Sequence, residues 1–277
     1  MRRTPSATAS TRSLAEREGR LKEQLYRVLA ELGAEWLGRG LGARLVFDVG
    51  CGRGLSVLYG WSSSLKRPGL EAELVLVDWD VEALREAGRR AKAEAPGLSV
   101  HLVAADASRL PFREPIEEGW LGFYGSVLHE LRSQGRLSEA LEEASRCFKA
   151  VLGYDYVDPD PERVRKLSSP LANPAVKERA EQLAVLGPVD SLTVVLEAVY
   201  QLTHPRGLSE AHLHFNASLS ELFTELKAYG FEVKWFRLLD LDEEAALRFE
   251  ALRLEPPRGL KGRAAWLAEA QRSEKSF

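Results

Sequence analysis

The chain has 277 residues, a length that suits one large domain or one domain with an insertion. Its 38 basic and 41 acidic side chains nearly balance, so composition gives no general attraction to nucleic acid or to a membrane surface. No apolar stretch has the length of a membrane span, and two cysteines do not make a disulfide framework. We therefore expect a cytoplasmic globular protein. A single methionine and only two asparagines are typical of a thermophile.

The N-terminal region predicts a tail followed by a helix. Residues 1–12 are basic and rich in small polar residues, so we expect a disordered tail there. Residues 13–43 predict an amphipathic helix, because Ser13 and Glu16 have capping-box spacing and apolar residues recur at three- and four-residue steps. Packing against a sheet is the favoured role for this helix, and covering a ligand crevice is the alternative.

A glycine-rich turn follows the first predicted strand. The buried run from Leu45 ends near Asp48, and three glycines then precede a helix that begins at about Leu55. Glycine allows positive φ angles and lets a ligand approach the backbone closely. Since the carboxyl edge of a doubly wound sheet binds nucleotide-like ligands, we expect a ligand site at this turn.

The next two predicted strands are each followed by an acidic residue. The strand Glu73–Val77 ends at Asp78, and the strand Ser99–Ala104 precedes Asp106. A carboxylate at the end of the second strand can accept hydrogen bonds from both hydroxyls of a ribose. Asp80 occupies the N-cap position of the helix that is predicted between the two strands, over Val81–Glu94.

The rest of the chain continues the alternation of strands and helices, with one interruption. Residues 160–215 contain several prolines and predict a helical insertion. Strands and helices are predicted over Trp120–Tyr124, Leu137–Ala150, Val151–Val157, Val176–Ala184, Ser191–Leu202, Leu219–Tyr229, Phe231–Leu239, Ala246–Leu254 and, as a terminal helix, Ala264–Arg272.

Four segments together resemble class I S-adenosylmethionine (SAM)-dependent methyltransferases. Asp48 to Gly54 resembles the D-x-G-x-G-x-G motif, Val77 to Asp80 the second motif, and Ala105 to Phe112 the G-D-A-x-x-L-P-F segment. Gly125 to Leu131 is similar to the S-x-V-L-H-H-L segment of small-molecule methyltransferases, with Glu130 in place of the second histidine. The resemblance implies an α/β fold, a doubly wound, seven-stranded and mostly parallel sheet with an antiparallel last strand.

The resemblance also implies SAM as the cofactor and gives roles to individual residues. Asp48 would help to hold the methionine end, Asp78 the ribose, and Asp106 the adenine amine. The remaining cofactor-binding residues would be Gly50, Cys51, Gly52 and Gly54 in the turn, Trp79 on the adenine face, Ala107 through its backbone N–H, and Ser126 near the donor methyl.

Two histidines are candidate catalytic residues, and no metal site is predicted. His129 is a candidate base or acceptor-orienting group, although the corresponding histidine in the family is often structural. His214 is a candidate acceptor-site residue. His204, His212 and His214 lack a nearby cysteine or a clear carboxylate partner, so their spacing does not indicate a zinc site.

These assignments divide the chain into a SAM-binding half at 44–159, an insertion at 160–215 and a C-terminal part at 216–277. The insertion is a candidate acceptor lid, with a homodimer contact as the alternative. The favoured function is methyl transfer to a small-molecule acceptor. One alternative is an RNA methyltransferase, since residues 1–44 hold nine basic against five acidic residues. The other is a non-catalytic SAM-binding scaffold or partner subunit.

Overall fold

The computed structural model describes residues 7–39, 44–112, 120–156, 173–184, 198, 202, 219–240 and 261–270. Seven strands form one sheet in the order β3-β2-β1-β4-β5-β7-β6. The strands are β1 Arg44–Val49, β2 Ala72–Asp78, β3 Val100–Ala104, β4 Trp120–Gly125, β5 Ala150–Tyr156, β6 Phe231–Asp240 and β7 Lys261–Ala270. The sheet is mostly parallel with an antiparallel end, as the sequence predicts.

Helices connect these strands. The described helices are α1 Ala7–Gly38, α2 (a π-helical turn Val57–Trp61 continued by Ser62–Ser64), α3 Val81–Glu94, α4 Leu128–Ser133, α5 Leu137–Cys147, α6 Pro174–Ala184 and α7 Leu219–Ala228. α3 has the predicted bounds and is capped by Asp80, whose side chain accepts from the N–H groups of Glu82 and Ala83. Local spacing therefore specifies this helix correctly.

The strand order reverses at β1. β1 pairs in parallel with β2 on one side and with β4 on the other. The carboxyl ends are in register, because Val49 lies opposite Val77 and Asp78 lies opposite Ala104. In open α/β sheets, a crevice for ligands forms at such a reversal of strand order. The glycine turn after β1 is located at this point.

α1 packs against one face of the sheet. A Cβ atom at Gly33 would lie 2.8 Å from the Trp61 ring and 3.1 Å from Leu121 and Leu152, so the helix approaches too closely for a larger residue. The Tyr154 hydroxyl donates to the Tyr26 hydroxyl over 2.9 Å. This is the packing role that the amphipathic pattern favours.

Two sequence predictions about secondary structure are wrong. α1 begins at Ala7, so residues 7–12 of the predicted tail are helical. The predicted terminal helix Ala264–Arg272 is strand β7 instead. Its alanines and Leu267 have good helix propensity, but residues 265–268 are all buried, as expected of a strand with neighbours on both sides. The predicted strand Ala246–Leu254 lies outside the described residues.

The chain forms two compact units. The first comprises Lys22–Tyr156, Leu219–Arg237 and Ala264–Phe277 and contains nearly all of the sheet. The second comprises Met1–Leu21, Val157–Ser218 and Leu238–Arg263 and includes the predicted insertion. Its helix α6 is capped by Asn173, whose side chain accepts from the Ala175 N–H over 3.0 Å. All candidate site residues discussed below, except His214, lie in the first unit.

Candidate functional site

The glycine turn is fixed to β2 and to the segment after β4. The carbonyl of Val77 accepts from the N–H groups of Gly50 and Cys51 over 2.9 and 3.1 Å. Gly50 has a φ of 72°, and a Cβ atom there would lie 2.5 Å from Val127 Cγ2. At Gly54, a Cβ atom would lie 3.0 Å from the Ala87 backbone. These two glycines are therefore required by packing.

Gly52 differs from its two neighbours. Its φ is 50°, but a Cβ atom there would meet nothing within 4 Å among the described residues. Its N–H donates to Asp78 Oδ2 over 2.7 Å. The middle of the turn thus faces open space beside an acidic side chain, which is the arrangement that lets a polar ligand approach the backbone.

Asp78 links the turn to the start of α3. Besides Gly52, it accepts from the Asp80 N–H through Oδ1 over 2.9 Å, and the residue is only 7% exposed. An ionised carboxylate oxygen has two acceptor sites, so each oxygen of Asp78 keeps capacity for a second donor. Both functions, support of the turn and acceptance from a ligand, are compatible with this geometry.

Asp48 lies buried below the turn. The Ser56 hydroxyl donates to its Oδ2 atom. Burial raises the pKa of Asp48, the Ser56 hydrogen bond lowers it and the charge of Asp78 raises it, with a net result of about 7. Since a nearby positive charge would relieve this cost, the pair of carboxylates favours a cationic ligand. The sequence did not indicate Ser56.

Asp106 belongs to a three-residue network. Its Oδ1 atom accepts from the Ser108 N–H over 2.9 Å and from the Ser108 hydroxyl over 2.8 Å. Its Oδ2 atom lies 2.5 Å from Arg136 Nη1, and Arg136 Nη2 donates to the Ser108 hydroxyl over 2.7 Å. Burial alone would raise the pKa of Asp106, but Ser108 and Arg136 lower it overall. Ala107 lies half-buried in the same loop.

Trp79 and Cys51 contrast in exposure. Trp79 follows the end of β2 and is 74% exposed, so its ring is accessible at the edge where the three aspartates lie. Cys51 is buried, and burial together with the charges of Asp48 and Asp78 raises the pKa of its thiol. A thiol that stays protonated is a packing group rather than a nucleophile.

The segment after β4 contacts the turn from the opposite side. Ser126 has a φ of 61° and is the one non-glycine residue with positive φ in the described part of the chain. Its N–H donates to the Tyr154 carbonyl over 2.8 Å, which ties it to β5. The next residue, Val127, is the one that packs on Gly50. The fold therefore brings residues 126–131 next to the glycine turn.

His129 forms a buried ion pair with Asp155, which the sequence pattern does not predict. Asp155 Oδ1 lies 2.5 Å from His129 Nδ1, and Asp155 Oδ2 accepts from the His129 backbone N–H over 3.0 Å. Glu130 Oε1 lies 3.5 Å from Nε2. Burial lowers the pKa of His129, but Asp155 and Glu130 outweigh it and raise the pKa to about 9. The one available signal was a lone acidic residue within the apolar run of β5.

The structure does not test the second candidate, His214, or the two histidines that precede it in sequence. His204, His212 and His214 lie outside the described residues. Within the ranges that are described, no three His, Cys, Asp or Glu side chains cluster as metal ligands do. Likewise, none of the described helices has an apolar stretch long enough to cross a bilayer.

The chain is similar to known methyltransferases in part of its sequence and in its fold. Residues 46–150 match the family model described as a methyltransferase domain. A search of the curated proteins finds no match. Among solved structures, a SAM-dependent methyltransferase from Methanosarcina mazei is 16% identical with a TM-score of 0.50, over 84% of this chain and 95% of that one. The 4+2 cyclase SpnF is 14% identical with a TM-score of 0.51, over 88% and 81%.

Proposed function

Because this chain contains a class I SAM-dependent methyltransferase domain, with SAM as its cofactor, we propose that it methylates a small-molecule acceptor. The observation that carries the proposal is the row of three aspartates at the carboxyl ends of β1, β2 and β3, beside a glycine turn with an open centre. Adjacent parallel strands bring these side chains to one edge although they are far apart in sequence.

The donor and acceptor chemistry of these residues fits SAM. Ribose hydroxyls and an adenine amine are donors, and the amino-acid end carries a cationic amine, so acceptor-only carboxylates suit all three parts. We assign the ribose to Asp78 and the adenine amine to Asp106. Asp48 is buried too deeply to contact the ligand directly, so it would attract the cationic end of SAM through its charge. Gly52 leaves room for backbone approach, and Trp79 offers an apolar face.

SAM, when bound, supplies a methyl group that its positive sulfur has already activated. The protein must then hold an acceptor in line and exclude water, and such positioning contributes about 7–11 kcal/mol in well-oriented reactions. His129 is protonated at neutral pH because its pKa is raised to about 9. We therefore assign it to orienting the segment 126–131 or the acceptor rather than to accepting a proton.

Two observations favour a small molecule over RNA. Phosphate binding needs clustered positive charge, and the formal charge of the whole chain is −3. In the described part of α1, Arg27 is paired with Glu23, and Glu31 lies 3.9 Å from Arg67, so that surface carries mixed charge. The resemblance of residues 126–131 to small-molecule methyltransferases adds to this argument.

A second candidate function is SAM binding without methyl transfer. SpnF, which has a similar fold, is described as a cyclase, so the fold by itself does not fix the reaction. We also propose that the protein is heat-adapted, because thermolabile residues are scarce in its sequence. The lid and homodimer roles of residues 160–215 stay predictions.

The proposed function predicts ligand-dependent stability. S-adenosylhomocysteine (SAH) at 100 times its Kd should stabilise the folded state by about 2.7 kcal/mol, because it binds the folded state alone. NAD at the same concentration should change the melting temperature little. Transfer of labelled methyl from SAM should then be screened with pools of small metabolites and with RNA. Stabilisation by NAD but not by SAH would disprove the cofactor assignment, and labelled RNA alone would establish the RNA alternative.

Gly52 and Gly50 provide a matched test of the turn. Gly52→Ala should lower the free energy of unfolding by about 1 kcal/mol, because alanine disfavours positive φ. The added methyl group projects into the open space beside the turn and should weaken SAH binding at least tenfold. Gly50→Ala adds overlap with Val127 and should cost about 3 kcal/mol in all. Urea unfolding and calorimetric titration measure the two effects. Unchanged SAH affinity in Gly52→Ala would place the ligand elsewhere.

A further inference from the structure

Arg136 joins two parts of the chain that are distant in sequence. It lies in the turn between α4 and α5, where its N–H donates to the Leu131 carbonyl over 2.8 Å and its own carbonyl accepts from Ala140 over 3.1 Å. The backbone of Arg136 is thus held on both sides. From this fixed position, its side chain reaches the loop after β3 and contacts both Asp106 and Ser108.

The three side chains form a closed ring of hydrogen bonds. Arg136 donates to Asp106 and to the Ser108 hydroxyl, and that hydroxyl donates in turn to Asp106. Both acceptor sites of Oδ1 are filled by Ser108, through its N–H and its hydroxyl. Arg136 fills one site of Oδ2. Considering only the described residues, the second acceptor site of Oδ2 is the one at which the carboxylate can accept a further hydrogen bond.

This arrangement defines one acceptor of fixed direction. The planar fork of a guanidinium orients a carboxylate more strictly than an ammonium does. A carboxylate beside a permanent cation also stays ionised, and an ionised carboxylate accepts hydrogen bonds but cannot donate them. A group that offers a donor is therefore favoured at this site, and a group that offers only a lone pair is repelled.

We propose that Arg136 is a positioning residue that orients Asp106 and thereby selects a purine with a 6-amino group over one with a 6-oxo group. The inference rests on the proposed function, since it takes the cofactor to lie at this edge of the sheet. Arg136 itself need not touch the ligand. It acts by holding the one remaining acceptor site of Asp106 in place.

The opposite role for the same contact is an obstructive latch. If Arg136 occupied Asp106 in competition with the ligand, removal of the guanidinium would release the carboxylate and strengthen binding. If Arg136 orients Asp106, its removal weakens binding and blurs the choice of purine. The two roles therefore predict changes of opposite sign in the same measurement.

The test uses the full-length protein and two probes, SAH and its 6-oxo analogue S-inosylhomocysteine, in calorimetric titrations. The variants are Arg136→Met, which removes charge and donors, and Arg136→Lys, which keeps charge but loses the fork. Arg89→Met is the matched control, since Arg89 is an exposed arginine paired with Glu86 on α3. Melting temperatures verify that each variant folds, and Arg136→Lys carries the test if Arg136→Met does not.

We expect the wild-type protein to prefer SAH by about 100-fold, because a site built for a donor rejects an acceptor in its place. Arg136→Met should bind SAH about tenfold more weakly, because a poorly oriented Asp106 should lose about half of the free energy of its hydrogen bond to the ligand. The preference of this variant for SAH over S-inosylhomocysteine should fall to about tenfold. Arg136→Lys should lie between, and Arg89→Met should match the wild type.

Tighter SAH binding in Arg136→Met, or an unchanged preference in both Arg136 variants, would overturn the inference alone. Failure of the wild-type protein to bind SAH would overturn the inference and the proposed function together. The two failures are therefore distinguishable, because the first requires normal SAH binding by the unsubstituted protein.

Discussion

Asp155→Ala should lower the free energy of unfolding at pH 7 by about 3–5 kcal/mol, because removal of one partner from a buried ion pair leaves the other without compensation. Asp155 is 2% exposed and His129 is 5% exposed, so neither side chain gains hydration in place of the lost contact. The variant also loses the hydrogen bond from the His129 N–H at the start of α4. Urea unfolding followed by circular dichroism measures the change.

The same pair predicts a dependence of stability on pH. The pKa of His129 is raised from 6.5 to about 9, so between these values the folded state holds a proton that the unfolded state has lost. The stabilisation from this proton is complete below pH 6.5 and is lost as the pH rises through 9. Between pH 7.5 and 9, the wild-type protein should lose about 2 kcal/mol, at 1.36 kcal/mol per pH unit. Asp48, whose pKa is raised to about 7 from 3.8, acts mainly at lower pH: the folded state keeps a proton that the unfolded state loses near pH 4, so stability falls between about pH 4 and 7.

Glu130→Gln provides the control for this experiment. Glu130 is 3.5 Å from His129 Nε2 and partly exposed, so its loss should cost under about 1 kcal/mol. Asp155→Ala should abolish most of the slope between pH 7.5 and 9, since His129 loses the partner that raises its pKa. A slope of wild-type size in Asp155→Ala would show that the proton is held by another group.

Asp78→Ala should weaken SAH by about 10- to 100-fold, because a hydrogen bond to a charged group contributes about 1.5–3 kcal/mol. The position of Asp78 at the end of a strand would by itself predict little effect of this change on the fold. The structure changes this expectation, because Asp78 also accepts from the N–H groups of Gly52 and Asp80. We now expect a further loss of about 3 kcal/mol in the free energy of unfolding.

A double-mutant cycle separates the two roles of Asp78. SAH and an analogue without the ribose hydroxyls are titrated against wild type and Asp78→Ala. If Asp78 binds the ribose, loss of the hydroxyls weakens binding to the wild type but has little effect in the variant. Asp80→Ala, which removes the α3 cap, should cost about 1 kcal/mol of stability and leave SAH affinity nearly unchanged. Equal hydroxyl effects in wild type and Asp78→Ala would leave Asp78 with a purely structural role.

Local chemistry made much of this protein predictable from its sequence. Glycines at 50, 52 and 54 have positive φ, Asp80 caps α3, and β1 and β2 are apolar runs that end at the predicted edge. These features depend on residues within a few positions of one another, where backbone sterics and short-range hydrogen bonds decide the conformation. The position of the candidate site is predicted from them, because parallel strands share one carboxyl edge.

The tertiary structure decided two things: which side chains pair with each charged residue, and that the last element is a strand. Asp48 with Ser56, Asp106 with Arg136 and His129 with Asp155 join different elements, and sequence spacing says nothing about which side chains packing brings together. β7 is a strand although its alanines favour a helix, because burial between β5 and β6 outweighs a helix preference of a few tenths of a kcal/mol per residue.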